Sequence, residues 1–326
     1  MKKIAVITGG NSGEYEVSLR SAENIMKQLD RNLFEPYLIL LKGNNWTYAA
    51  TDGSAIEVDR HDFTLNLNGE KIVFDAVFIA IHGNPGENGR LQGYFDMIGM
   101  PYTGCDMLSS ALTFNKYYCN VVVRAIGIPV SPSLHYFKGD KVDYKYVGDY
   151  CQYPCFVKPC NSGSSVGVTK VHNETELANA IETAFKVDSQ ILIEKFLPGR
   201  EIACGVTRLG DEVKPLAVTE IVVKDEFYDY TTKYTDGTHD LITPADFPKD
   251  VYNQILEYSK KIFVELNCDG IVRVDYIVSP DNVPFFLEVN TIPGQTALSI
   301  IPAQAHTIGL NLTDAYTRMI EKCLNN

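Results

Sequence analysis

Ile271-Val-Arg273-Val-Asp275-Tyr-Ile-Val278, then Ser-Pro-Asp-Asn, then Val283-Pro-Phe-Phe-Leu-Glu288-Val-Asn290 reads as two strands joined by a turn. β-Branched and aromatic residues fill both runs, and Pro-Asp-Asn supplies the turn. Side chains alternate along a strand, so Arg273 and Asp275 share one face, as do Glu288 and Asn290. With 279–282 as the connection, Arg273 is expected opposite Glu288 and Asp275 opposite Phe286, which gathers all four polar groups on one face. Carboxylates brought together repel unless a cation neutralises them, and oxygen donors of this kind suit Mg²⁺ completing its shell with water and nucleotide phosphates. Arg273 beside them is placed to stabilise negative charge on a reacting carbonyl or phosphoryl group. The bland alternative is a solvated Arg273–Glu288 cross-strand ion pair.

Upstream of this hairpin, closely spaced strands are predicted over Ile191–Lys195, Glu201–Arg208 and Val213–Val223. Short turns between them predict a largely antiparallel sheet with helices on one face, an α+β unit. The chain opens differently. Lys3–Thr8, the glycine turn Gly9-Gly10-Asn11-Ser12-Gly13, a helical period through Val17, Leu19, Ile25 and Leu29, and Tyr37–Leu41 make an α/β start. Another buried strand, Ala76–Ile81, runs into the loop His82-Gly-Asn-Pro-Gly-Glu-Asn-Gly89, and loops at such strand ends are where α/β proteins place ligands. Residues 107–126 read as helix, and a new α/β unit starts at Pro154-Cys-Phe-Val-Lys-Pro159.

At 326 residues, with 45% hydrophobic and 21% charged, the chain is long enough for two or three separate cores. The net charge of −12 excludes a nucleic-acid backbone as partner, which needs a concentrated basic face. It does not exclude a small nucleotide held by backbone amides and a few lysines. Eight scattered cysteines, without paired CxxC elements, fit free thiols in a reducing compartment. The apolar stretch Ile4–Ile7 is too short for a signal sequence and no 18-residue apolar run occurs, so a cytoplasmic protein without a membrane partner is expected. GxSxG, HExxH and paired HRD and DFG motifs are absent, which removes the usual anchors of serine hydrolases, zincins and protein kinases.

Three further stretches carry chemistry with open alternatives. The glycine turn at Gly9–Gly13 fits a structural turn, a small-substrate loop or a dinucleotide site; the last lacks its acidic residue, since Leu41-Lys42-Gly43 follows the second strand. Lys158 precedes Gly163-Ser164-Ser165-Val-Gly167, a phosphate grip or a flexible loop, without the P-loop spacing. Glu194-Lys195-Phe-Leu197-Pro-Gly-Arg-Glu201 offers carboxylates to a ribose and an adenine amino group, or forms a solvated hairpin. His82 and His306 are candidate general bases or simply hydrogen-bonded.

Taken in order, these elements resemble the D-alanine–D-alanine ligases of the ATP-grasp superfamily along essentially the whole chain. The resemblance rests on Gly9 to Ser18, Ile81-His82-Gly83, Leu91-Gln-Gly, Pro101-Tyr-Thr-Gly104, Lys116, Val157-Lys158-Pro159 and Gly163 to Gly167. It continues through Ile193-Glu194-Lys195, Glu201, Tyr228-Asp-Tyr230, Lys233-Tyr234, Arg273-Val-Asp275 and Glu288-Val-Asn290-Thr-Ile-Pro-Gly294.

The resemblance implies a three-domain ATP-grasp architecture of α/β and α+β parts: an amino-terminal parallel α/β domain over 1–106, a central one over 107–189 and a carboxy-terminal one over 190–326. It implies phosphate contacts from Lys116, Lys158 and Lys233, with Ser165 closing over them, and adenosine contacts from Glu194, Lys195, Leu197 and Glu201. Asp275, Glu288 and Asn290 would hold two Mg²⁺ ions, with Mn²⁺ as an alternative. The implied reaction makes a D-alanyl phosphate from ATP and D-alanine for attack by a second D-alanine, supplying peptidoglycan synthesis. Arg273 and the Gly294 amide would stabilise the oxyanion. Glu14, Ser164 and Tyr234 would form a hydrogen-bonded triad orienting the first substrate. His82 would lie near that substrate's carboxylate and Ser299 near the second's. Tyr234 favours an amine over a hydroxy acid as second substrate. Ala297-Leu298 departs from the more usual Ser-His and leaves D-alanine and D-serine both open. A homodimer is the implied assembly.

Overall fold

A computed structural model describes residues 1–50, 53–223 and 239–325. The first sheet holds β1 (Lys2–Gly9), β2 (Phe34–Lys42), β3 (Asn45–Ala49), β4 (Ala55–Asp59), β5 (Thr64–Leu67), β6 (Glu70–Val73) and β7 (Ala76–Ile79) in the order β6-β5-β4-β3-β2-β1-β7. Only β2, β1 and β7 run parallel; the β3–β6 meander is antiparallel, so the sheet is mixed. The near-continuous apolar run Ile4–Ile7 is fully buried because β1 is covered on both faces, as parallel strands require. Helix α1 (Tyr15–Gln28) follows the glycine turn, and α2 (Arg90–Ile98) follows the loop after β7.

The helical run read over 107–126 forms as two helices, α3 (Met107–Phe114) and α4 (Lys116–Ala125). Asn115 interrupts it: its backbone is extended and its side chain accepts the Tyr118 N–H, capping the second helix. That cap sets Lys116 at the first position of α4, where its N–H donates to the Cys160 carbonyl at 3.0 Å. The sequence pattern missed a polar cap inside an apolar period.

A four-stranded sheet follows, ordered β10-β9-β11-β8, from β8 (Ser133–Phe137), β9 (Cys155–Pro159), β10 (Thr169–Val171) and β11 (Gln190–Lys195). Helices α5 (Tyr144–Cys151) and α6 (Leu177–Phe185) pack against it around Val157, Ile191 and Ile193. The sequence reading grouped 190–195 with the later strands. In the fold this strand pairs with β8 and β9, because its isoleucines bury against α5 and α6.

The third sheet is antiparallel, ordered β14-β13-β12-β15-β16, from β12 (Arg200–Leu209), β13 (Glu212–Val223), β14 (His239–Ile242), β15 (Ile271–Val278) and β16 (Pro284–Asn290). Helix α7 (Lys249–Glu265) covers one face through Ile255, Ile262 and Phe263 against Ile202, Cys204 and Val274. The sequence pattern predicts helices on one face only, but α8 (Ile300–Thr307) lies on the other, where Ile300 meets Ala203 and Ile221 and Gln304 bonds Gly205 and Ala203. Helix α9 (Leu312–Asn325) returns to the first sheet, with Tyr316 edge-on to Phe78 at 5.4 Å.

The β15–β16 register differs from the predicted one by two residues at Arg273 and Asp275 and by one from Tyr276 to the turn. Arg273 faces Asn290 and Asp275 faces Glu288, while Tyr276 faces Phe286. The connection is Ser279–Val283, closed by the Ser279 N–H to the Val283 carbonyl at 3.0 Å, and Leu287 is an extra residue in β16. This bulge turns Phe286 into the core, edge-on to Tyr276, while Glu288 and Asn290 keep to the opposite face. A shift of two residues preserves facing, so the four polar groups still converge.

Candidate active site

Two cavities meet over this hairpin. The first, about 270 Å³, is walled by Glu14 and Arg20, by His82 and Glu87, by Ser162–Ser164, by Arg273, Glu288 and Asn290, and by Gly294 and Ser299. The second, about 450 Å³, opens between the four- and five-stranded sheets and is lined by Lys158, Ser165, Glu194, Lys195, Leu197 and Glu201. Lys116, Ser162, Ser164, Ile221 and Glu288 line both. Lys233 and Tyr234, with Tyr228 and Tyr230, lie outside the described residues.

At the junction the Lys116 ammonium sits 3.2 Å from a Glu288 carboxylate oxygen and donates to the Ser162 carbonyl at 2.7 Å. Burial works against this charge, but the Glu288 carboxylate outweighs it and holds the Lys116 pKa above its ordinary value. Deeper in the second cavity Lys158 and Glu194 form a buried ion pair, brought together by the antiparallel pairing of β9 and β11. Ser164 and Ser165 both adopt left-handed backbone conformations, with φ of 49° and 57°. Consecutive non-glycine residues there are strained, a condition maintained where the surroundings dictate the loop shape.

Asp275, 3% exposed, accepts two hydrogen bonds from Arg273 at 2.7 Å each and a third from the Asn290 amide at 3.0 Å. Glu288 faces it across the strands. Among the described residues no three His, Cys, Asp or Glu side chains cluster as a metal cage. Two carboxylates and an amide are instead an incomplete oxygen set, which fits an ion that takes its remaining ligands from phosphate and water.

His82, buried in the loop after β7, uses both ring nitrogens. Nδ1 lies 2.6 Å from the Ile292 carbonyl, which can only accept, so Nδ1 carries the proton. Nε2 then accepts from the Ser21 hydroxyl at 2.9 Å. Burial, with Arg273 nearby, holds the imidazole pKa below its ordinary value, in keeping with a neutral ring. The open choice between base and bonded histidine resolves here to a fully bonded one.

Sequence reading passed over Glu87, Arg20 and Ser21. Glu87 is buried, and its two oxygens accept the Gly83 N–H at 2.8 Å and the Ile292 N–H at 3.1 Å. Burial, then the Glu14 charge, push its carboxyl up to about 8. An acid within the glycine-rich loop His82–Gly89 was the available signal. For Ser21 it was the serine pair Ser18 and Ser21, three apart on the buried face of α1.

Comparison with known proteins follows the same outline. Residues 3–105 match the family model described as D-ala D-ala ligase N-terminus, and residues 122–321 the one described as D-ala D-ala ligase C-terminus. The chain is 42% identical to a D-alanine–D-alanine ligase of Phocaeicola vulgatus over 320 residues, 98% of each chain. Among solved structures it is similar to the VanG D-Ala:D-Ser ligase of Enterococcus faecalis, with 35% identity, TM-score 0.89 and 99% of each chain covered. It is also similar to the D-alanine–D-alanine ligase of Bacillus anthracis complexed with ATP, with 27% identity and TM-score 0.78, covering 100% of this chain and 98% of that one. With both halves matched by these models, the mixed α/β chain belongs to the D-alanine–D-alanine ligase family, enzymes of the ATP-grasp fold.

Proposed function

We propose that the protein joins two D-alanine molecules to D-alanyl-D-alanine, coupled to cleavage of ATP to ADP and phosphate, for peptidoglycan precursor synthesis. One observation carries this reading: a cleft lined by the nucleotide-type residues Lys158, Glu194, Lys195 and Glu201 opens into a smaller one lined by Glu14, Arg273 and Gly294, with Lys116 and Glu288 between them. In this reading the terminal phosphate of a nucleotide in the larger cleft would meet a carboxylate held in the smaller one. Names of relatives support it, as does the ATP complex of a similar fold.

In this reading the first D-alanine carboxylate oxygen takes the ATP γ-phosphoryl group and ADP leaves. The second D-alanine's neutral amine attacks the acyl carbon, phosphate leaves with the C–O bond electrons, and the proton released from nitrogen passes to that phosphate or to water. No protein nucleophile is involved, so rate comes from placement and charge neutralisation. Lys116 and Lys158 hold phosphate oxygens, Ser164 and Ser165 cover them, and Leu197 and Glu201 hold the nucleoside. Glu14 and Ser164, with Tyr234, orient the first substrate. Arg273 and the Gly294 N–H face the oxyanion, and Ser299 faces the second carboxylate. Asp275, Glu288 and Asn290 are the groups that would hold Mg²⁺, or Mn²⁺, which when bound neutralises polyphosphate charge.

The reaction is assigned to the cytoplasm, where ATP is available, and to a homodimer. Among the described residues no helix is long and apolar enough to cross a membrane. ADP release measured with D-alanine, L-alanine, D-serine and D-lactate tests the reading. Release with D-alanine alone supports it, and release that requires D-serine beside D-alanine would correct the second substrate. Absence of D-alanine-dependent ADP sinks it.

A further inference from the structure

The Gly294 N–H belongs to a peptide without regular secondary structure, in the segment 291–299 between β16 and α8. Glycine has no side chain to restrict its torsions, so an amide aimed at a developing charge must be held by its neighbours. On one side, the Ile292 carbonyl is fixed by His82 Nδ1 at 2.6 Å. On the other, the Gln295 N–H, in the same rigid plane as the Gly294 carbonyl, donates to Ser21 Oγ at 3.1 Å. Ser21 closes the pair, because its own hydroxyl donates to His82 Nε2 at 2.9 Å.

Gln295 is the residue most completely anchored there. Its carbonyl accepts from the Asn24 side chain at 2.7 Å and its Oε1 accepts from the Tyr316 hydroxyl at 2.8 Å. It is 6% exposed, and both Ser21 and Tyr316 are fully buried. Three elements far apart in sequence, α1, the loop after β7 and α9, thus hold Ile292 and Gln295, on either side of Gly294. Polar groups buried to this degree are costly unless matched, and here they are matched among themselves.

We propose that Gln295 is a positioning residue for the ligation step: through Ser21, Asn24 and Tyr316 it locks the peptide plane next to Gly294 and so aims the Gly294 N–H at the reacting acyl centre. This rests on the reading of the site as a D-alanine ligase. It assigns the amino-terminal helix and the final helix a part in the chemistry without either touching substrate through these groups.

The test compares Tyr316→Phe, which keeps the ring against Phe78, and Ser21→Ala with the native chain. Steady-state ADP release is measured alongside amide hydrogen exchange of peptides covering 291–299. The expected result is faster exchange in that segment and a kcat about tenfold lower, with KM for ATP within about twofold and a thermal midpoint lowered by a few degrees as a buried partner is left unmatched. Native exchange in both variants overturns the proposal, whatever the turnover. So does a kcat loss matched by an equal change in ATP KM with exchange unaltered. If the native chain releases no ADP with D-alanine while exchange rises in the variants, the anchor stands and the ligase reading falls.

Discussion

Arg273 grips Asp275 two residues further along the same strand, Nε to Oδ1 and a terminal guanidinium nitrogen to Oδ2, each at 2.7 Å. Such fork-to-carboxylate pairing fixes the guanidinium plane as well as its charge. Lysine keeps the charge but offers a point rather than a fork. Arg273→Lys is therefore expected to lower kcat about 100-fold with the circular dichroism spectrum unchanged. A kcat within a few-fold of native would remove Arg273 from oxyanion stabilisation.

Glu288 stands where the two cavities join, against Lys116 and across from Asp275. Glu288→Ala is expected to abolish ADP formation while the fold persists. Stopped assays and an unfolding curve decide it. Unaltered turnover would show that neither a metal nor Lys116 depends on this carboxylate.

Lys158 and Glu194 are both buried, so removing one partner strands the other's charge in a poorly solvated place. Lys158→Met is expected to cost about 3–5 kcal/mol in urea unfolding, and Lys158→Met with Glu194→Met to recover most of it. ATP affinity should be lost in both. Tight nucleotide binding by the double variant, read by calorimetry, would mean the pair is only structural.

Glu87 carries a pH signature. Its ordinary pKa of 4.5 rises to about 8 in the fold, mainly through burial. An acid with a raised folded pKa favours folding below its unfolded pKa, and that contribution disappears as pH climbs through the folded value. Stability should thus decline between pH 4.5 and about 8 relative to Glu87→Gln, which cannot ionise. Urea midpoints of both chains across that range provide the check, and parallel trends would refute the shift.

Much of the site was legible in local sequence because strand periodicity is a local property. Arg273 shares a face with Asp275, and Glu288 with Asn290, by alternation alone; that the two pairs meet depends on the bulge at Leu287, because the turn slips the pairing by one residue and the bulge adds the second that restores facing. The register itself was not legible: the bulge at Leu287 depends on burying Phe286 against Tyr276, a contact visible only once α7 covers that face. Residues 107–126 are helical as read, but the break at Asn115 was not legible, because its capping bond prevails over the apolar period.

Sequence alone determined which chemical groups are present and on which side of each strand they lie, because propensity and alternation act over a few residues. Tertiary structure decided which of them meet. Glu87 and His82 reach Ile292, and Ser21 reaches Gln295, across more than 200 residues of chain. No local pattern encodes those meetings; they form because three sheets and two distant helices bury their apolar faces together and bring the intervening polar groups within hydrogen-bonding distance.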